Sequence, residues 1–254
     1  MTANLGIATG IVADTASRGA DAVLLPENGL MLGTAEQMRA AAVQVDGPVI
    51  GSLCRAAAKS NCAVVVGGVK CRDGTGAIHN SALVLGADGR VCGGYDKIRL
   101  FEARLDGVSF EASRVEEPGH TPIVRTVRGV SVGLTICYDL RFPELYRSLA
   151  LAGAEVFFVP AAFAAKTGPA YWEPLLRARA IENGASVVAS ATGSHPHGED
   201  AFPSYGHALA ADPWGTLAIV EIDTDAVARA RSALPVLRQL RPDAYARKPT
   251  APQA

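Results

Sequence analysis

The chain has 254 residues, 49% of them apolar, and its 24 Lys+Arg against 25 Asp+Glu give a formal net charge of −1. Such a composition supplies a substantial core and excludes a disordered or collagen-like polymer. A near-neutral surface gives no electrostatic basis for binding nucleic acid, and no apolar run reaches the ~20 residues of a membrane-spanning helix.

No basic-then-apolar leader opens the sequence, so no signal peptide is expected. Cys54, Cys62, Cys71, Cys92 and Cys137 are odd in number and contain no CxxC pair. They argue against a disulfide framework or a zinc knuckle and fit a reducing cytoplasm.

In chain order, residues 4–17 read as a weak helix, with Gly6 and Gly10 inside it. Residues 22–25 are a short apolar strand stopped by Pro26. Helices are expected at 37–43 and 50–60. Residues 63–69, AVVVGGV, read as a strand buried on both faces. SALVL and RVCGGYDKIRL flank Ala87-Asp88-Gly89 and predict a hairpin. The polar stretch 102–121 is expected to cross the surface as a loop.

Residues 130–136 are the next buried strand, with Cys137 at its carboxyl end. A helix at 143–151, a strand at 155–160, a helix at 173–183 and strands at 187–191, 206–211 and 217–222 follow. Residues 193–203 read as a loop able to cover a site. From Arg238 onward the chain is basic and Pro-rich, and a tail that packs on a neighbour or frays is expected. Hairpins mixed with strand–helix–strand units predict one α/β domain over 1–254, with mixed sheets covered by helices. In such sheets ligands lie at the carboxyl ends of strands.

Three residues stand at such ends. Cys137 precedes YDLRFPE, where a sharp strand-to-helix turn would expose its thiol and a nearby cation would favour the thiolate. The alternative is a small buried hydrophobe. Glu27 ends AVLLPE; burial there would raise its pKa toward that of a general base, and the alternative is a solvated or capping carboxylate. Lys97 is placed to stabilise an oxyanion, or else is a solvated edge-strand lysine. No histidine has a pattern that singles it out, and no phosphate loop, dinucleotide fingerprint or metal-ligand spacing occurs; neither cofactor nor metal is expected.

Taken together, LLPEN, YDKIRLF and GLTICYDLRFPEL resemble the carbon–nitrogen hydrolase (nitrilase) superfamily. TGPAYWEPLLRARAIEN, SYGHALAADPWGTL and LPVLRQLRPDAY extend the likeness over nearly the whole chain. It is most similar to the branch of omega-amidases and deaminated glutathione amidases. The resemblance implies an α-β-β-α sandwich that associates into a homodimer or higher homo-oligomer through its helices and tail. It implies an amidase for small carboxylated amides, working through a thioester and releasing ammonia. Cys137 would be the nucleophile and Glu27 the base. Lys97 and the Tyr138 backbone N–H would hold the oxyanion. Glu111, in SFEASRVEEPG, would orient substrate, although Ala112 replaces the usual serine after it and the spacing to Pro118-Gly119 is one residue longer than usual.

Arg141 would either bind a substrate carboxylate or brace the turn against Glu144 or Asp139. Tyr171 and Trp172 would either wall the pocket or pack their helix. Carbamoyl or nitrile hydrolysis on the same residues, and an inactive binding homologue, are the alternatives. Superfamily members usually begin with a strand before the first helix. This sequence starts almost in the helix, so a first strand is expected to be missing.

Overall fold

The computed structural model describes residues 1–105, 108–193, 203–217 and 224–245. The first sheet is assembled from β1 (Ala22–Leu25), β2 (Ala63–Arg72), β3 (Ile78–Leu85) and β4 (Val91–Asp96), in the order β1-β2-β3-β4. β1 runs parallel to β2, and the other pairs are antiparallel. Two helices cover it: α1 (Thr2–Ser17) and α3 (Pro48–Ser60), with the short α2 (Ala35–Ala40) between them in sequence. α2 starts on a capping box between Thr34 and Gln37, and α3 ends on Asn61 in the left-handed region.

β2 shows why this sheet needs two covers. Val64 and Val66 join Val12, Ile50 and Leu53 in the core under the helices. Ala63 and Val65 join the core on the opposite face, against the second sheet. Both faces are therefore apolar, as the unbroken AVVV run requires.

The second sheet is formed by β7 (Ile123–Val127), β8 (Val130–Leu134), β9 (Val156–Ala161), β10 (Ser186–Ala191) and β11 (Leu209–Ala211), ordered β11-β10-β9-β8-β7. Its outer cover is α4 (Pro143–Leu151) and α5 (Gly168–Asn183); Tyr146 of α4 packs edge-on against Phe157 of β9 at 5.1 Å. α6 (Thr224–Ala233), not expected from the sequence, is tied down by Arg231, which donates to the carbonyls of Ala154 and Gly184. α7 (Pro242–Tyr245) lies in the expected tail. The result is the α-β-β-α sandwich.

One element corrects the sequence reading. Residues 102–121 are not simply a loop, because β5 (Glu102–Leu105) and β6 (Val108–Glu111) pair as an antiparallel hairpin, followed by a 3-10 turn at Ala112–Arg114. Two short strands with a polar residue at every second position keep a solvated face, which makes the segment look irregular. Leu217 bridges Ala211, while most of the expected strand 217–222 and of the loop 193–203 lies outside the described residues.

Candidate active site

Three strand ends of the two facing sheets meet between them. Glu27 follows β1 by two residues, Lys97 follows β4, and Cys137 opens the 3-10 turn Cys137–Arg141 just past β8. Glu27 and Lys97 are each 3% exposed and Cys137 is 8% exposed. Lys97 Nζ donates to Glu27 Oε1 at 2.8 Å, and Asn80 Nδ2 donates to the same oxygen at 2.9 Å. The Ala162 N–H donates to Glu27 Oε2 at 2.8 Å. The Cys137 thiol lies within electrostatic reach of the Glu27 carboxylate. Cys137 sits at φ +47°, a conformation costly for a residue with a side chain and held by its surroundings.

Gly67 and Gly68 make the space. The β2–β3 register shifts between Val66 and Val69, so the pair forms a bulge. Gly68 has φ +60°, and a Cβ there would lie 2.5 Å from Glu27 Cγ. A Cβ on Gly67 would lie 2.1 Å from Pro160 of β9. Only glycine allows the two sheets and the carboxylate this close.

The charges order themselves. Burial disfavours the Glu27 carboxylate, but Lys97, then Lys70, and the bonds from Lys97 and Ala162 outweigh it and hold its pKa at about 2. The expectation that burial would raise Glu27 is thus corrected: the lysine beside it wins. Burial also works against the charge on Lys97, yet Glu27, Cys137 and Glu116 raise it above an ordinary lysine. Burial, then the Glu27 carboxylate, push the Cys137 thiol well above its ordinary value, with Lys97 opposing. The resting site is therefore a neutral thiol against a Glu27–Lys97 ion pair. Such a site can give a thiol proton to a carboxylate while a fixed cation stands beside the new charge.

The remaining expected residues separate. Tyr138 packs between Phe101 (5.2 Å) and Phe142 (5.4 Å), and Phe101 also meets Phe110 of the β5–β6 hairpin. Arg141 lies over the Tyr171 ring, 4.1 Å from its centroid, and among the described residues no carboxylate pairs with it. The brace is instead Asp139, which accepts from Tyr95 Oη, Ile136 N and Arg99 N. Tyr171 is 42% exposed, whereas Trp172 is buried in the core with Nε1 on the His207 carbonyl, so Trp172 packs its helix.

The structure does not bring Glu111 to the cluster. Its carboxylate is held by Ser109 and Arg114 at the surface. The buried glutamate of that segment is Glu116, 4% exposed and ion-paired with Lys70. Asn80, Lys70 and Glu116 went unmarked in the sequence; the parity of β3, which puts Asn80 on the face of Ala82 and Val84, could have found the first.

A cavity of about 890 Å³ opens between α1, the segment 28–38 and the end of β2. Lys70 and Asn28 line it, but Glu27, Lys97 and Cys137 do not. Chemistry, rather than empty volume, locates the site. Among the described residues no group of three His, Cys, Asp or Glu is arranged to hold a metal ion, and no helix is long and apolar enough to cross a membrane.

Residues 1–241 match the family described as Carbon-nitrogen hydrolase, and the chain belongs to that family. It is 42% identical over 181 residues to the deaminated glutathione amidase of Mus musculus, covering 66% of this chain and 55% of that protein. The chain thus spans about half the length of that relative. It is 35% identical over 254 residues to the deaminated glutathione amidase of Synechocystis sp. (strain PCC 6803 / GT-S), covering 94% of this chain and 92% of that one. Among solved structures, the C. elegans NitFhit protein superposes with a TM-score of 0.86 at 31% identity, over 96% of this chain and 63% of that chain.

Proposed function

We propose that this protein is an amidase that hydrolyses the C–N bond of a small carboxylated amide, an omega-amide or a deaminated-glutathione-like 2-oxo acid amide. The observation that carries it is the buried Glu27–Lys97 ion pair at 2.8 Å, with the Cys137 thiol buried in its field. The names of the relatives support the substrate class.

In this reading Cys137 attacks the amide carbonyl and its proton passes to Glu27. The tetrahedral oxyanion is held by Lys97 Nζ and the Tyr138 N–H. Glu27 returns the proton to the leaving nitrogen, ammonia departs, and a thioester remains. Glu27 then takes a proton from water, which attacks the thioester and frees the acid. The half-buried Arg141, stacked on Tyr171, supplies a cation for the substrate carboxylate. Five free cysteines support a reducing, cytoplasmic setting. The exposed Leu151, Ile181, Trp214 and Leu234 support association into a homodimer or larger oligomer.

The test is ammonia release from a panel of omega-amides, 2-oxo acid amides and neutral amides, with a nitrile and an N-carbamoyl amino acid as comparison and Cys137→Ala as control. Turnover confined to carboxylated amides, with KM raised by Arg141→Leu for these and not for neutral amides, is the expected result. Preference for the nitrile or the carbamoyl compound overturns the substrate class, and activity in Cys137→Ala overturns the mechanism.

A further inference from the structure

Two more charges are buried beside the site and take no part in the steps above. Lys70 is 8% exposed and Glu116 is 4% exposed, and their ammonium and carboxylate form an ion pair. Burying two charges costs a great deal, and an apolar pair of the same volume often serves a fold as well. A pair retained at such cost calls for a use.

Its position suggests one. Lys70 on β2 is the register partner of Asn80 on β3, so the two side chains share a face of the sheet. Asn80 Nδ2 is bonded to Glu27 Oε1, and the Asn80 carbonyl accepts from the Lys97 N–H. The segment that carries Glu116 is pinned to the same strands: Glu117 N donates to the Ile78 carbonyl and Gly119 N to the Lys97 carbonyl. The cluster thus contains two cations and two anions, with Lys70 acting on Glu27 and Glu116 acting on Lys97.

We propose that Lys70 and Glu116 are positioning residues for the amidase: as a buried pair they balance the charge around Glu27, Lys97 and Cys137, and so set the pH at which the thiol becomes reactive. The proposal rests on Cys137 being the reactive thiol. The charged and titratable groups facing Cys137 are Glu27 after β1, Lys97 after β4 and Tyr146 of α4, with Asp139 on its own turn and Tyr95 of β4 bonded to Asp139. All of these side chains remain present when residue 70 or 116 is changed; Glu27 then loses the charge of Lys70, or Lys97 that of Glu116.

The signs follow from Coulomb's law. Glu116→Gln leaves Lys70 unpaired, adds net positive charge and favours the thiolate. Lys70→Met leaves Glu116 unpaired and disfavours it. A unit charge about 12 Å away at an effective dielectric of ~20 moves a titration by about one pH unit.

The experiment measures carbamidomethylation of Cys137 by iodoacetamide as a function of pH, resolved by peptide mass spectrometry, beside the pH profile of ammonia release. Glu116→Gln should shift the alkylation midpoint about one unit to lower pH, Lys70→Met about one unit to higher pH, and the double variant should return it near wild type. A pair that only supports the fold gives the wild-type midpoint in every folded variant. That result, or shifts of one sign in both single variants, overturns the proposal. If the single variants do not fold, Glu116→Asp keeps the charge but draws it back. A smaller shift to lower pH supports the proposal and an unchanged midpoint overturns it. Alkylation needs no substrate, so failure of the amide panel leaves this test standing. Ammonia release with an unshifted midpoint removes the pair and leaves the amidase.

Discussion

Asp139, two residues after Cys137, accepts a 2.7 Å hydrogen bond from Tyr95, two residues before Lys97. The same carboxylate takes the Arg99 N–H at 3.0 Å and the Ile136 N–H at 2.9 Å. One buried side chain therefore straps the turn bearing the thiol to the segment bearing the ammonium. Asp139→Asn must turn an amide N–H toward at least one of these donors. We expect a loss of about 1–3 kcal/mol in stability and a fall in kcat larger than any change in KM. Thermal melts and steady-state kinetics check it; an unchanged kcat would mean the strap does not hold the geometry.

Cys137→Ala should abolish turnover while leaving the thermal midpoint nearly unchanged. Single Ser or Ala replacements of Cys54, Cys62, Cys71 and Cys92 should keep the chemistry, with a stability cost at the buried Cys62 and Cys71. Ammonia release by each variant decides.

Glu27→Gln and Lys97→Met should each lower the rate by at least ~10²-fold. Each also strands a buried charge, at about 3–5 kcal/mol. The double variant should be less destabilised than the two losses added, and a double-mutant cycle on denaturation midpoints measures the coupling.

Stability should respond to pH with two opposite slopes. Glu27 sits at about 2 in the folded protein against 4.5 ordinarily, so its contribution is present above about 4.5 and lost as pH falls toward 2. Asp139 is raised by burial from 3.8 to about 6, despite Lys97, so its contribution declines as pH rises from about 4 to 6. Melts across pH 2–7 should show the acid loss flattened in Glu27→Gln and the second slope flattened in Asp139→Asn. Superimposable curves for wild type and both variants would contradict the assignment.

Gly68→Ala should cost at least ~10²-fold in rate, because its Cβ would stand 2.5 Å from Glu27 Cγ and a base moved by ~1 Å loses that much. Kinetics of a folded Gly68→Ala protein are the check.

The sequence made some of this legible and hid the rest for physical reasons. Apolar runs ending in a polar residue marked Glu27 and Cys137, because a strand buried on both faces leaves only its end for chemistry. The alternation of Phe101, Ala103 and Leu105 with Glu102 and Arg104, followed by Asp106-Gly107, is a hairpin pattern that the segment's polarity masked. Glu111 and Glu116 cannot be ranked from the sequence: the 3-10 turn at Ala112–Arg114 intervenes, and only its geometry buries the second. Glu27 also shows that burial alone does not give the direction of a pKa when the burying wall includes lysines.

The bulge at Gly67-Gly68 has a consequence for heredity rather than for chemistry. Before it, β2 turns odd-numbered residues such as Val65 toward the facing sheet; after it, Val69 and Cys71 lie under the helices and Lys70 takes the other side. The strand is read in two phases, and the bulge is the shift between them. Loss of a single glycine codon would cancel that shift, keeping Val69 and Cys71 under the helices and Lys70 on the other side, but it would erase the bulge that makes room for the Glu27 side chain. This strand should therefore tolerate exchange of one apolar residue for another far better than a change in its length.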